Sequence, residues 1–234
     1  MVSQARVLVI QHEDDCPVGM IGPWLEQVGV AVDVLRAHDG TPVPAALAEH
    51  DGLVVLGGEM GAQDDTEHRW LRPTRSLIAA TVASGLPFLG VCLGHQLGAV
   101  ALGGAVRRNP QGPLHRLTPL ALTAPGRADP LTAHAPPGST VLHWNNDVVT
   151  ELPPGATLLA EAPDGSVQAA RFGPRAWGVQ FHPEVDPDIV AGWSPGADRA
   201  AELAQIEEFR RREAELHRDW AALVRRFGHL VAAG

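Results

Sequence analysis

In the first half of the chain, short runs of apolar residues alternate with longer segments in which apolar positions recur at helical spacing. Short apolar runs bounded by glycine or polar turns are typical of strands buried on both faces. Parallel sheets with helices packed on both faces have this order. We therefore expect a three-layer α/β fold with a mostly parallel central sheet. The expected strands are residues 7–11, 32–37, 52–58 and 87–91, with one helix beginning at Pro23 and another over residues 68–84.

From about Arg107 onward, proline and glycine become frequent, and short strand-like runs follow one another with few helical segments. Such runs are typical of antiparallel strands joined by turns. Because no linker-like stretch separates the two halves, an antiparallel extension of the same sheet explains the change better than a second domain. The expected strands are residues 119–124, 140–144, 156–162, 167–172 and 176–181.

The C-terminal segment, from about residue 198 to residue 231, has apolar residues at helical spacing and arginine and glutamate on its other faces. This pattern predicts an amphipathic helix that packs its apolar stripe against the sheet. We interpret the whole chain, residues 1–234, as a single domain. The stripe consists of Leu203, Ile206, Phe209, Leu216, Trp220, Leu223, Phe227 and Leu230.

The composition limits the class of protein. The chain has 234 residues, 45% of them hydrophobic, which is enough for a sizeable core without disulfides. Its formal net charge of −9 argues against a nucleic acid or an anionic membrane as partner. No signal-peptide run and no span of about 20 apolar residues is present, so we expect a cytoplasmic protein. Asp14-Asp15 and Asp64-Asp65 are expected to be solvated, and we expect no metal or cofactor.

The most informative segment surrounds Cys92, where a predicted strand runs straight into Gly90-Val91-Cys92-Leu93-Gly94 and a helix follows. This order is typical of a sharp turn that holds its central residue in a strained conformation, with glycines that permit close backbone approach. The partial positive charge at the start of a helix favours a thiolate, the form that attacks carbonyl carbons. The amide N–H of Leu93 then points to where an oxyanion would form. The alternative is a small core cysteine, which is how we interpret Cys16.

A cysteine nucleophile needs a histidine base and usually a third group that holds the imidazole ring. Among 11 histidines, His182 lies at the end of a strand-like run that Pro183 stops, so we expect it at the rim of the sheet. Side chains two residues apart in an extended chain lie on the same side, so Glu184 can accept a hydrogen bond from His182. The alternative is a surface histidine beside a solvated glutamate.

Residues 90–96 (GVCLGHQ) and residues 181–184 (FHPE) together resemble the motifs of the class I glutamine amidotransferases. The similarity extends over nearly the whole chain, because residues 57–60 correspond to the family's glycine-rich oxyanion strand and residues 11–12 and 144–147 also match in position. In particular, the chain resembles stand-alone domains similar to the glutaminase part of GMP synthase. The resemblance implies a flavodoxin-like fold. The combination of cysteine turn and His-Pro-Glu is much more specific than either motif alone.

The resemblance implies a catalytic mechanism. Cys92 would attack the side-chain amide of glutamine, with His182 transferring protons and Glu184 orienting His182. The N–H groups of Gly58 and Leu93 would bind the oxyanion. Water would then hydrolyse the γ-glutamyl thioester and release glutamate.

The resemblance also implies substrate-binding residues at Gln96, Glu59, Trp144 and Asn145. Gln96 would contact the amino-acid end of the substrate; the alternative is an ordinary polar residue in the first turn of a helix. Glu59 and the pair Asn145-Asn146 depart from the family, in which proline and a His-Gly pair are common there. The Glu59 carboxylate would suit a substrate that bears an amine. The alternative is that this loop side chain points to water. His95 adjoins the nucleophile, but we expect it to face away from the thiol.

Three functions are compatible with the sequence. The first is hydrolysis of glutamine to glutamate and ammonia, with the ammonia passed to a separate synthase subunit, since no synthase domain is recognisable here. The second is a stand-alone hydrolase of γ-glutamyl amides or peptides that uses the same triad. The third is a non-catalytic binding module, against which the presence of all three triad residues argues. The sequence identifies neither the ammonia acceptor nor the oligomeric state.

Overall fold

The structure, a computed structural model, describes residues 4–193 and 198–234. Its strands are β1 (Arg6–Gln11), β2 (Ala31–Arg36), β3 (Gly52–Val55), β4 (Phe88–Val91), β5 (Ala105–Arg108), β6 (Leu114–Pro119), β7 (Thr140–Asn145), β8 (Asp147–Glu151), β9 (Thr157–Glu161), β10 (Val167–Gly173) and β11 (Ala176–Val179). Its α-helices are α1 (Ile21–Glu26), α2 (Leu71–Ala83), α3 (Leu93–Ala101), α4 (Ala124–Ala128), α5 (Pro187–Gly192) and α6 (Arg199–Ala232).

A seven-stranded sheet in the order β2-β1-β3-β4-β11-β10-β9 forms the centre of the fold. The first five strands in this order, β2 to β11, are parallel to one another. Alternate side chains of β1 enter different cores: Val7 and Val9 pack with α1 and α6, whereas Leu8 and Ile10 pack with α2 and α3. The expected three-layer fold with a mostly parallel sheet is therefore confirmed.

The antiparallel extension of the sheet is smaller than the sequence pattern indicates. It consists of β10 and β9, and β10 pairs antiparallel with β11. In contrast, β11 is parallel to β4 and belongs to the parallel part of the sheet. The pairs β6-β7 and β5-β8 form separate two-stranded sheets. Strand pairing depends on long-range contacts, which a local apolar pattern does not encode.

Residues 119–124 do not form the expected strand. β6 ends at Pro119, and Leu122 makes only an isolated bridge to Ala160. The Thr123 side-chain oxygen accepts a hydrogen bond from the Gly126 N–H at 3.1 Å, which caps the start of α4. A threonine cap followed by proline favours helix initiation over strand continuation, so the prediction was wrong here.

Two element boundaries bear on the site. The strand expected over residues 52–58 ends at Val55, so Gly57 and Gly58 belong to the loop that follows β3. The helix expected over residues 68–84 spans Leu71–Ala83. Parallel strands direct the loops at their carboxyl ends to one edge of the sheet, which is where ligands bind in open α/β folds.

The long helix α6 begins after Asp198, whose side chain accepts a hydrogen bond from the Ala201 N–H at 3.1 Å. Its apolar stripe packs on the sheet, except that Leu203 is 49% exposed, contrary to the expectation for that position. Near its start, Glu202 pairs with His115 of β6 at 2.6 Å. No helix within the described ranges combines the length and the apolar character needed to cross a membrane.

Candidate active site

Cys92 occupies the single-residue junction between β4 and α3. Its φ of 49° and ψ of −105° make it the one non-glycine residue with positive φ in the described part of the chain. A side chain in this region is strained, and such strain concentrates at functional sites. The Cys92 N–H donates to the Val179 carbonyl oxygen at 2.8 Å, which fixes the junction to β11.

The two glycines that flank Cys92 are required by close backbone approach. A Cβ on Gly90 would lie 2.4 Å from the Gly94 carbonyl oxygen, and a Cβ on Gly94 would lie 2.0 Å from the Val55 carbonyl oxygen. Neither contact can be relieved by rotating a side chain. The Gly-x-Cys-x-Gly spacing therefore follows from the tight packing of the turn and of α3 against β3.

His182 and Glu184 form a buried ion pair behind the thiol. The His182 Nδ1 lies 2.6 Å from Glu184 Oε1, and the two side chains are 3% and 2% exposed. Burial lowers the pKa of His182, but the charges of Glu184 and Cys92 outweigh it and raise the pKa to about 10. A proton on Nδ1 directed at Glu184 leaves Nε2 as the ring nitrogen that can face a reacting group.

The loop after β3 lies directly against this pair. A Cβ on Gly57 would lie 2.9 Å from His182 Cε1 and 3.6 Å from Cys92 Cβ. The backbone N–H groups of Gly58 and Leu93 have no acceptor among the described residues, and Gly58 lines the pocket. The structure thus brings together all five residues to which the sequence analysis assigns catalytic or oxyanion-binding roles.

A pocket of about 440 Å³ opens over Cys92. The residues expected to bind substrate, Gln96, Glu59, Trp144 and Asn145, all contribute to its lining. Glu184 is not among the lining residues and reaches the pocket only through His182.

Gln96 is buried in the first turn of α3 and is held by the protein. Its side-chain nitrogen donates to the Asp147 carbonyl oxygen at 3.0 Å and to Gln180 Oε1 at 3.2 Å. The Gln180 amide in turn donates to Cys92 Sγ at 3.5 Å. Both N–H groups of Gln96 are therefore used, and its side-chain oxygen is the atom that suits an ammonium donor.

His95 faces away from the thiol, as its place in α3 predicts. It is fully buried and stacks on Phe172 with ring centroids 5.5 Å apart. Burial lowers its pKa to about 3, so the ring is neutral near pH 7. Gly178 leaves the space for this ring, since a Cβ there would lie 2.2 Å from His95 Nδ1.

The pocket also contains residues that the sequence analysis did not identify. Asp15 is exposed, as expected, but it also lies in the pocket wall, and its backbone oxygen accepts a hydrogen bond from Trp193 Nε1 at 2.9 Å. The Trp193 ring lies 4.8 Å from the His182 ring. No local signal marks these residues, because the contact joins positions far apart in the chain. Asn146, which the sequence analysis names beside Asn145, also lines the pocket. The other lining residues to which the sequence analysis gives no substrate-binding role are Glu13, Cys16, Met60, Arg108, Pro113, His115 and Asp147.

Glu13, Asp15 and Cys16 place their potential ligand atoms within 4.8 Å of one another. Burial and the Glu13 carboxylate raise the pKa of the Cys16 thiol far above its ordinary value, and a protonated thiol is a poor metal ligand. Cys16 Sγ instead donates to Glu13 Oε1 at 3.2 Å. We therefore assign no metal to this group.

The profile of the class I glutamine amidotransferase family matches residues 20–189. The match covers most of the chain, and the chain therefore belongs to this family. It is 32% identical over 218 residues to the Salmonella typhimurium glutamine amidotransferase-like protein YfeJ, covering 92% of this chain and 90% of that protein.

Two shorter matches are to enzymes whose names describe different reactions. The chain is 36% identical to one subunit of the glutamine-hydrolysing GMP synthase of Halobacterium salinarum, over 67% of this chain and 76% of that protein. It is also 36% identical to the γ-glutamyl-L-1-hydroxyisopropylamide hydrolase of a Pseudomonas species, over 67% of this chain and 53% of that enzyme.

The fold matches a solved glutamine amidotransferase of Thermotoga maritima with a TM-score of 0.85 and 26% identity. The superposition covers 97% of this chain and 99% of that chain. Nearly the whole chain therefore has the class I glutamine amidotransferase fold.

Proposed function

We propose that this protein hydrolyses the side-chain amide of glutamine to glutamate and ammonia through a γ-glutamyl thioester on Cys92. The observation that carries the proposal is the junction at Cys92, a strained residue packed against Gly57 and faced by the buried His182–Glu184 pair. A strained cysteine at a helix N-terminus, with an oriented imidazole beside it, is suited to nucleophilic attack on an amide carbon.

In the first half of the reaction, the Cys92 thiolate attacks the amide carbon and a tetrahedral oxyanion forms. The N–H groups of Gly58 and Leu93 donate hydrogen bonds to this oxyanion. His182, as an imidazolium, gives its proton to the departing nitrogen, and the carbon–nitrogen bond breaks to release ammonia. The γ-glutamyl group remains on sulfur as a thioester.

In the second half, His182 takes a proton from water, and the hydroxide attacks the thioester carbonyl. The same two N–H groups bind the second oxyanion, and the carbon–sulfur bond breaks. Glutamate leaves and the thiolate returns. Glu184 contributes throughout by fixing the His182 ring and favouring its charged form.

The destination of the ammonia is the second part of the proposal. A separate synthase protein would receive it, as the resemblance to one subunit of a GMP synthase supports. A glutaminase of this kind is expected to turn over faster in the presence of its synthase, because ammonia transfer couples the two reactions.

A second candidate is hydrolysis of larger γ-glutamyl amides by the same chemistry. The pocket volume of about 440 Å³ falls in the range of about 300–1,000 Å³ that accommodates drug-sized ligands, so a substituent on the amide nitrogen fits. Asp15 is joined to Trp193, which packs on the proton donor His182, so this wall faces the leaving group. The carboxylates of Asp15 and Glu59 would favour a substrate whose leaving group is a diamine, because its second amino group is protonated and positively charged.

A panel of substrates separates the two candidates. Glutamate release is measured with glutamine and with γ-glutamyl amides of a neutral alkylamine, a diamine and an amino acid, each also with the Cys92→Ala variant. Preferred turnover of glutamine, lost in Cys92→Ala, supports the first candidate. Fast turnover of a substituted amide with poor turnover of glutamine supports the second and overturns the first. Release of no glutamate from any of the four would overturn both.

A further inference from the structure

The loops that follow β1 and β3 lie side by side at the carboxyl edge of the sheet, because these strands are adjacent and parallel. Glu13 belongs to the first of these loops. Residues 57–60, here called the glycine loop, belong to the second and include Gly58, which lines the pocket and whose N–H has no acceptor among the described residues. A side chain of the first loop is therefore able to hold the backbone of the second.

Glu13 makes such a contact. Its Oε1 accepts a hydrogen bond from the Glu59 N–H at 2.8 Å and a second one from Cys16 Sγ at 3.2 Å. The Glu13 backbone is itself fixed, because its carbonyl oxygen accepts from Gln11 Nε2 at 2.8 Å. The carboxylate thus ties the glycine loop to the end of β1, 46 residues earlier in the chain.

The glycine loop has little space in which to move. A Cβ on Gly57 would lie 2.9 Å from His182 Cε1, and a Cβ on Gly58 would lie 2.6 Å from Met60 Sδ and 3.0 Å from Leu93 Cδ2. The Glu59 N–H held by Glu13 is one peptide after the Gly58 N–H. The two N–H groups belong to successive peptide planes that share the Gly58 Cα atom. Because Glu13 holds the second plane through the Glu59 N–H, it restricts the backbone rotations at Gly58 that would let the first plane, and with it the Gly58 N–H, turn away.

We propose that Glu13 is a positioning residue: by accepting the Glu59 N–H, its carboxylate keeps the glycine loop in the conformation that presents the Gly58 N–H to the oxyanion. The inference rests on the function proposed above. Oxyanion donors act only when they are aimed beforehand at the developing charge. Loss of the Glu13 acceptor therefore lowers the rate of the chemical step more than it changes substrate binding.

Three variants test the proposal. Glu13→Ala removes the acceptor, whereas Glu13→Gln keeps a carbonyl oxygen at the same distance along the side chain, removes the charge and replaces the second oxygen by an amide nitrogen. Asp64→Ala is the matched control, because Asp64 Oδ2 accepts the Gly61 N–H at 2.7 Å just beyond the loop and outside the pocket lining. Steady-state kinetics are measured for each with the substrate that the wild type prefers.

We expect kcat of Glu13→Ala to fall about 10- to 100-fold, with KM within about threefold, since complete loss of one oxyanion donor costs about 100- to 1,000-fold. Glu13→Gln should recover most of this loss, and Asp64→Ala should stay near the wild type. A kcat for Glu13→Ala within twofold of the wild type, or a loss confined to KM, would overturn the proposal. So would a Glu13→Gln variant as impaired as Glu13→Ala.

Amide hydrogen exchange supplies a readout that does not depend on turnover. In a peptide covering residues 56–62, exchange should be faster in Glu13→Ala than in the wild type, and Glu13→Gln should be protected. Equal exchange in all three refutes the inference even where activity is low. An inactive wild type with the expected exchange pattern counts against the proposed reaction and leaves the contact made by Glu13 supported, so the two failures are distinguishable.

Discussion

Replacement of Gly57 by alanine is expected to displace His182 while leaving the fold in place. The added Cβ would lie 2.9 Å from His182 Cε1 and 3.6 Å from Cys92 Cβ. Ordinary carbon contacts are about 3.5–4.0 Å, so the ring must move by roughly 0.5–1 Å. The ring cannot move freely, since Glu184 holds Nδ1 at 2.6 Å and the Trp193 ring packs 4.8 Å away.

The size of the effect follows from this geometry. A misplacement of about 1 Å in a catalytic group costs about 100-fold in rate, so kcat of Gly57→Ala should fall about 10- to 100-fold. Insertion of one methyl group into a packed site costs about 1–3 kcal/mol of stability, which a domain of this size tolerates. The rate should therefore fall in a variant that still folds.

The assay is glutamate release combined with thermal unfolding. Gly22→Ala is the control, because a Cβ at Gly22 in α1 would meet only Val18 methyl groups at an ordinary 3.7 Å. It should keep both kcat and stability. If Gly57→Ala unfolds cooperatively like the wild type and keeps its full kcat, the arrangement of loop and imidazole described above does not govern catalysis.

Three further predictions concern the same site. Gly94→Ala should prevent folding, because its Cβ would lie 2.0 Å from the Val55 carbonyl oxygen; soluble expression with native circular dichroism would contradict this. A chloroketone analogue of glutamine should label one thiol per chain and leave Cys16 unmodified, because burial raises the pKa of Cys16; labelling at Cys16 by peptide mass mapping would refute this. The His182 imidazolium persists below its pKa of about 10 and is lost above it, and Glu184→Gln removes a charge that raises this pKa. The alkaline limb of kcat/KM should therefore move to lower pH in Glu184→Gln, and a limb that stays in place would be inconsistent with the ion pair.

The nucleophile and its orienting pair are features that a sequence can reveal, because each depends on a local arrangement. The Cys92 junction needs a strand, two glycines and a helix within a few residues, and the close contacts of Gly90 and Gly94 explain the spacing. The His182–Glu184 contact depends only on the alternation of side chains in extended chain. Neither arrangement requires knowledge of how distant segments pack.

The walls of the pocket could not be predicted in the same way. Trp193 reaches the site through a contact with Asp15, 178 residues earlier, and Glu13 reaches Glu59 across 46 residues. Such pairs can be recognised as neighbours only when the order of the strands in the sheet is known. Asp15 is exposed, as expected for a residue of an acidic loop, but no local pattern indicates that it also lines the pocket.

The strands of the sheet also differ in how far local sequence predicts them. Apolar runs predict β1 to β4 well, because strands buried on both faces have a strong local signal. After residue 107 the runs are short, and the pattern does not distinguish β11, which joins the parallel strands, from β7, which pairs with β6 outside the main sheet. Pairing there is decided by tertiary packing.

The central claim is that hydrolysis passes through a γ-glutamyl thioester on Cys92. The most direct test is mass spectrometry of protein that is quenched in acid during turnover, followed by peptide mapping. The proposed reaction predicts that one γ-glutamyl group is attached to the peptide containing Cys92 in the wild type and to none in Cys92→Ala. Glutamate release that continues in Cys92→Ala, or that proceeds in the wild type with no adduct on this peptide, would contradict it.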